Sequence, residues 1–551
     1  MKKLLSWLLC VLLVLSASAS MAETAAAGDI VVLFTNDIHC GVDQGFGYAG
    51  LASFRDKLVA DGNTVTLVDV GDAIQGEPIG TISTGSHIID IMNQVGVELA
   101  IPGNHEYDYG MERFMELVEM ANFPYLSANF NKEGELIFAP YKILEYGDVK
   151  IAYVGVTTPQ TTTTSTPAYF QNEAGEFIYG FMPGDNGNEL YAGVQKAVDA
   201  ARAEGATYVI VLAHLGISAE SSPWMSTELI TNTTGINVVL DGHSHSVIPS
   251  ETVKNKDDED VLLSSTGTKF ANIGVLRINA DGAMSTSLLG WDQETETMMR
   301  SLPFWSVDVE SVINNIKAEF EEQLNQVVAK SEVELIINMP DTDPPVRIIR
   351  TAETNLGNLC ADAYRAQAGS DVAIVNGGGI RVAIPAGDIT YGNILSVHPF
   401  GNALCMVEAT GQEIIDALEM GSRAIPGESG GFLHVSGMTY EINTEIESSI
   451  VTTPEGLFES APGERRVQNV KVGGEPIDLE KTYTLASHNY LLKNAGDGYT
   501  MFQDNVLLLD EIMLDNQVLM NYIIQSLDGV VGAEYAEPFG EGRIIAVPAA
   551  E

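Results

Sequence analysis

Short apolar runs punctuate the first half of the chain: IVVLF (30–34), TVTLVDV (64–70), VELAI (97–101), IAYVGV (151–156), YVIVLA (208–213) and INVVL (236–240). Each is too short for a helix and reads as a buried strand. Stretches such as ELYAGVQKAVDAARAE (189–204) lie between them with helical spacing. Strands alternating with helices predict an α/β layered domain over 29–300. The pattern then changes. Residues 306–330 predict one amphipathic helix, with Val309, Val312, Ile313, Ile316 and Phe320 on a shared face. The loop NMPDTDPPVR follows, with three prolines, and 306–345 reads as a linker. A second α/β region fills 346–551, with a helix at 354–367, the strand DVAIV (371–375), and a capping box in which Thr410 and Glu413 open the helix QEIIDALEM. TTPQTTTTSTP (157–167) reads as a loop and DDED (257–260) as a solvated hairpin tip, and the chain shows no internal repeat.

Length supports two domains, because 551 residues exceed what a single core holds. The net charge of −47 argues against a nucleic acid polymer or an anionic lipid surface as partner, since both call for Lys and Arg. It fits a chain kept soluble outside the cell. The N-terminus, MKKLLSWLLCVLLVLSASASMAET, has two lysines, an apolar core and small residues near Ala22, the pattern of a secretory signal peptide over 1–22. No later run is long and apolar enough to span a membrane. Cys40, Cys360 and Cys405 remain after cleavage. This odd count is no disulfide scaffold, and it leaves open both a Cys360–Cys405 pair and free buried thiols.

Polar residues collect where the apolar runs stop. TNDIH brings Asp37 and His39, GD brings Asp72, GNHEYDYG brings Asn104, His105, Glu106 and Asp108, HLG brings His214, and DGHSH brings His243 and His245. Five of the nine histidines thus sit just past predicted strands, the edge at which α/β sheets bind ligands. Asp, Asn and His together suit zinc, manganese or iron(II). Asp37, His39, Asp72, Asn104, His214, His243 and His245 are too many donors for one tetrahedral ion, and they fit two ions sharing a carboxylate.

The ordered set TNDIH, GD, GNHEYD, AHLG and GHSH resembles the calcineurin-like metallophosphoesterases. ETNLGNLCADA (353–363), NGGGIR (376–381), HPFGN (398–402) and NAGDGY (494–499) resemble the C-terminal domain of secreted 5′-nucleotidases, and the two resemblances cover nearly the whole chain. They imply two divalent ions, zinc or manganese. Asp37, His39 and His245 would hold one, Asn104, His214 and His243 the other, and Asp72 would bridge them. His105, oriented by Asp108, would stabilise charge on the phosphoryl group, with Glu106 in a supporting place. In the second domain the resemblance points to Arg350 and Arg381 for the anionic substrate, with Asn376 and Gly378 in the same loop. Phe400 would stack on a nucleobase with Asn402 beside it, and Asp497 would contact ribose hydroxyls. Tyr490 stands seven residues before Asp497, where the family's second stacking ring lies six before, so its stacking role departs from the pattern. Cys40 replaces the small residue that often follows the first ligand pair. The implied activity is release of phosphate from nucleoside 5′-monophosphates. UDP-sugar or 2′,3′-cyclic nucleotide hydrolysis is the enzymatic alternative, and nucleotide capture without turnover the non-enzymatic one.

Overall fold

The computed structural model describes residues 28–172, 174–301 and 306–547. The signal-peptide segment 1–22 lies outside them. Among the described residues, no helix is long and apolar enough to cross a membrane.

In the first half two sheets stack face to face. One runs in the order Met284–Gly290, Asn272–Ile278, Ile30–Thr35, Thr64–Asp69, Leu99–Ala100. The other runs Val247–Lys254, Asp260–Thr266, Val238–Asp241, Tyr208–His214, Val149–Thr157, Tyr141–Tyr146. The central strands are mostly apolar because both their faces are covered. Val32 and Phe34 join Ile210 and Leu212 in the core between the sheets. Val31 and Leu33 meet Leu51, Ile88 and Phe114 from the outer helices on one side. Val209 and Val211 meet Leu190, Val194 and Leu229 on the other. The result is helices outside and sheets inside, the layered α/β architecture expected.

The second half holds a mixed five-stranded sheet, ordered Leu433–Ser436, Val372–Asn376, Thr482–His488, Leu404–Thr410, Leu507–Leu509. Ala373 and Val375 pack toward the helix Asn355–Ala368, while Val372 and Ile374 pack toward the helix Gly411–Gly421. The capping box forms: Thr410 Oγ1 accepts from the Glu413 amide at 3.2 Å, and Glu413 Oε2 accepts from the Thr410 amide at 2.7 Å.

Three expectations need correction. The helix over 306–330 is shorter, Val307–Leu324, and is followed by the strand Val327–Ser331, which pairs with Gly387–Thr390 and Val530–Val531. Val327, Val328 and Ala329 read as helical continuation, but Val327 and Ala329 pair with Thr390 and Ile389, and Lys330 and Ser331 pair with Val530 and Val531, strands remote in sequence. Val309 and Ile313 are buried in the first half's core, and Ala329 in the second's, so the crossing falls at Asn325 and Gln326. Next, VELAI forms a strand only at Leu99–Ala100 before Pro102 turns the chain. Finally, the loop 157–167 contains a one-turn helix, Thr161–Thr164. The segment at 257–260 does turn between two strands, and Cys40, Cys360 and Cys405 are all free and buried.

Candidate active site

Within each sheet of the first half the central strands run parallel, so their carboxyl ends share one edge. Ile30–Thr35 delivers Asp37 and His39, Thr64–Asp69 delivers Asp72, and Leu99–Ala100 delivers Asn104 and His105. The facing sheet delivers His214 at the end of its own strand and His243 and His245 just past Val238–Asp241. The loops are sharply folded: Asp37, His39, Asp72, His243 and His245 all have positive φ, between 47° and 71°. Left-handed backbone at a non-glycine residue is costly, and where it clusters it marks a functional site. Two glycines let the loops touch. A Cβ on Gly103 would lie 2.3 Å from Asp72 Oδ1, and one on Gly71 2.6 Å from the Gly103 amide nitrogen.

The donor atoms converge. His39 Nε2 is 3.0 Å from His245 Nε2, which is 3.5 Å from Asp37 Oδ1. His214 Nε2 lies 3.0 Å from Asp72 Oδ2, and His39 Nε2 lies 3.8 Å from the same oxygen. His243 Nδ1 is 2.9 Å from Asn104 Oδ1. The ring orientations are set from behind: His39 Nδ1 donates to the Gln75 carbonyl at 3.0 Å and His214 Nδ1 to the Val70 carbonyl at 2.8 Å, so both Nε2 atoms face into the site, where each offers a lone pair once its ring is neutral. His214 Nε2 is fully buried beside Asp72 Oδ2. Converging lone pairs at about 3–4 Å fit cations. Three groups offer ligand atoms that all lie within 4.8 Å of one another: Asp37–His39–His245, Asp72–His214–His243 and His39–Asp72–His105.

Burial and charge set the protonation states before any cation is counted. Burial pushes His39 and His245 well below the usual histidine range and, helped by His214, pushes His243 down to about 3. Neutral imidazole is the ligating form. Burial opposes charge on His214 as well, but Asp72 and Asp37 drive it up to about 10. Burial raises Asp37 to about 7. It would also raise Asp72, but His214, His105 and His39 hold that carboxyl well below the ordinary range.

The other residues of GNHEYDYG divide the work. His105 Nδ1 meets Asp108 Oδ2 at 2.5 Å, and Asp108 Oδ1 accepts from Ser165 Oγ at 2.9 Å. Burial disfavours a charged His105, yet Asp108 and Asp72 raise its pKa. The His105 amide donates to Asp72 Oδ1 at 2.8 Å, which leaves Asp72 Oδ2 facing His214 and His39. Glu106 accepts from the backbone amides of Asp72, Ala73 and Gly103 at 2.8, 2.8 and 2.6 Å. Its carboxylate ties two ligand loops together.

The second half closes over this edge. A cavity of about 670 Å³ is lined by Asp72, Asn104, His105, Asp108, His243 and His245 on one wall. Arg350, Asn376, Gly378, Arg381, Phe400, Asn402, Tyr490 and Asp497 line the other, so all eight substrate residues expected from the sequence reach it. Phe400 packs 5.6 Å from the His105 ring, with the Arg381 guanidinium 5.5 Å from its centroid. Asn376 Nδ2 donates to Asp497 Oδ2 at 2.7 Å. The Tyr490 ring lines the cavity, while its hydroxyl accepts from the Asp497 amide at 3.1 Å and donates to the Thr163 carbonyl at 2.7 Å.

Sequence reasoning missed Arg347, Arg423, Gln160 and Ser165. Arg347 and Arg423 add positive charge to the cavity, though Arg347 also pairs with Glu428. Gln160 meets His243 Nε2 at 2.9 Å. Arginine is scarce in so acidic a chain, which was a usable signal. The threonine-rich run gave none, because it read as a plain loop.

Two family models match the chain: calcineurin-like phosphoesterase over residues 30–247, and 5′-nucleotidase, C-terminal domain, over 327–504. The trifunctional nucleotide phosphoesterase protein YfkN of Bacillus subtilis is 28% identical over 530 residues, covering 86% of this chain and 32% of that protein, so the chain spans about a third of that relative's length. A 5′-nucleotidase of Vibrio parahaemolyticus is 28% identical over 558 residues, covering 93% of this chain and 91% of the other. The crystal structure of a 5′-nucleotidase precursor from Thermus thermophilus superposes with a TM-score of 0.78 at 27% identity, covering 94% of this chain and 99% of that one.

Proposed function

The chain belongs to the 5′-nucleotidase family, phosphohydrolases that join a calcineurin-like phosphoesterase domain to a 5′-nucleotidase C-terminal domain, and on that premise we propose that it releases phosphate from nucleoside 5′-monophosphates outside the cytoplasm. One observation carries the reading: candidate metal ligands and an arginine-rich, aromatic wall face each other across one cavity.

Asp37, His39 and His245 would hold one divalent ion and Asn104, His214 and His243 the other, with the Asp72 carboxylate shared between them. Zinc or manganese suits these donors. Two such ions supply Lewis acidity that lowers the pKa of water and neutralises phosphate charge. His105, oriented by Asp108, which favours its charged form against burial, stabilises charge developing on the phosphoryl group. Arg350 and Arg381 bind the anionic end, and Asp497, held by Asn376, receives the ribose hydroxyls. Gly378 lets the 377–379 turn approach the substrate, with Asn402 flanking Phe400.

Phe400 is engaged by both His105 and Arg381. A base stacked on it would displace one of these contacts, and a swing of the second domain would make that room. Asn325 and Gln326, between the helix and the strand, are the hinge; a few residues at an element's end absorb such a change. Tyr490 closes the base site as a ring against the cavity.

The relative from Bacillus subtilis is a trifunctional nucleotide phosphoesterase, which keeps other nucleotide esters in the test. The experiment is a panel of AMP, UDP-glucose and 2′,3′-cyclic and 3′,5′-cyclic AMP, each with added zinc or manganese. The proposal expects AMP to have the highest kcat/KM. Preference for UDP-glucose or a cyclic ester would move the assignment to that substrate.

A further inference from the structure

A neutral imidazole has one N–H and one lone pair. His243 meets a carboxamide oxygen at each nitrogen: Asn104 Oδ1 is 2.9 Å from Nδ1, and Gln160 Oε1 is 2.9 Å from Nε2. It donates to only one of them. If Nδ1 held the proton, the Gln160 oxygen would face a lone pair, and so would no longer be bonded. If Nε2 holds it, Gln160 accepts, and the Nδ1 lone pair and Asn104 Oδ1 are left side by side, the arrangement a shared cation satisfies. His39 and His214 are set the opposite way, with Nδ1 donating to carbonyls and Nε2 facing inward. His243 is delivered differently: its backbone is left-handed at φ 71°, and its amide donates to Asp37 Oδ2 at 3.0 Å, so the ring enters the site by its other nitrogen.

We propose that Gln160 is a positioning residue whose side-chain carbonyl fixes the Nε2–H form of His243, so that Nδ1 is the atom that binds the second metal ion. The inference rests on the two-metal reading above. The segment holding Gln160 is well anchored. The Thr158 amide donates to the His214 carbonyl at 2.9 Å, the Gln160 amide to Thr158 Oγ1 at 3.2 Å, and Thr161 Oγ1 to the Thr158 carbonyl at 2.6 Å. One metal ligand's backbone thereby positions the side chain that orients another. A carbonyl acceptor does this without adding negative charge.

The test is metal binding, read apart from activity. Zinc titration by calorimetry is expected to show two sites in the wild type. In Gln160→Ala, one site weakens by about 10- to 100-fold, the usual cost of losing a partner behind a metal-bound histidine, while the other is unchanged. Gln160→Glu, which keeps an acceptor oxygen, restores the weakened site. A crystal structure of the zinc-loaded wild type supplies a second measurement, with His243 Nδ1 at about 2.0–2.1 Å from zinc. Two wild-type affinities in Gln160→Ala, or Nε2 as the zinc-bound atom, would overturn the proposal while leaving the two-metal site intact. A wild-type chain that takes up no second ion would overturn both.

Discussion

The ring of Phe400 lies 5.6 Å from the ring of His105 at a tilt of 30°, although the two residues belong to different halves of the chain. A side chain on the substrate wall thus packs directly on the imidazole assigned to phosphoryl chemistry. Phe400→Ala separates the two roles. Base–aromatic stacking is worth about 1–3 kcal/mol, so kcat/KM for AMP is expected to fall roughly 5- to 150-fold. An aryl phosphate without a nucleobase should lose far less. Steady-state kinetics with both substrates checks this, and equal losses on both would remove the stacking assignment.

Tyr490 supplies a bond between the halves through the Thr163 carbonyl. Tyr490→Phe keeps the ring and removes that bond, together with the acceptor for the Asp497 amide. A single hydrogen bond contributes about 0.5–1.5 kcal/mol net, so kcat/KM for AMP is expected to drop a few-fold. Small-angle scattering should report a larger open population. Unchanged scattering and kinetics would show that this contact does not hold the halves together.

Much of this was legible in the chain. Parallel strands buried on both faces read as uninterrupted apolar runs, and parallel order sends every strand's carboxyl end to one edge. That is why Asp37, Asp72, Asn104, His214 and His243 were identifiable as one cluster from the chain alone. The end of the 306–330 helix was not legible, since Val327 and Val328 fit either element and distant strands decided the outcome. Gln160 and Ser165 were not either: a threonine-rich run has no periodicity, and its value lies in which remote groups, His243 and Asp108, its side chains reach. Glu106 was expected in a supporting place, but the three amides it gathers came only from the fold.

Glu106→Gln tests that support. The new amide group turns an N–H toward at least one buried backbone N–H and leaves it unsatisfied, a cost of about 1–3 kcal/mol. The thermal transition of the metal-free protein is expected to fall by several degrees, and both metal affinities should weaken because the loop carrying Asp72 loses its tie. An unchanged melting profile with unchanged metal binding would contradict the role.

Metal binding should depend on pH in a defined direction. Asp72 and Asp37 push His214 up to about 10 against burial, so the metal-free site holds a proton there at neutral pH. Ligation releases that proton. Apparent affinity for the ion at His214 is therefore expected to rise with pH, by up to about tenfold per unit for each proton released. Calorimetry in buffers of different ionisation enthalpy counts the protons. Proton-free binding at neutral pH would contradict the assignment.

The central claim is a two-ion site, bridged by Asp72, that hydrolyses nucleoside monophosphates. The most direct measurement is phosphate release from AMP by chelator-stripped protein as manganese or zinc is titrated back, for the wild type and for Asp72→Asn. The account predicts no activity in the stripped protein, full activity only as the second equivalent binds, and almost none in Asp72→Asn at the same metal level. Full AMP turnover with one equivalent, or in Asp72→Asn without restored metal binding, would contradict it.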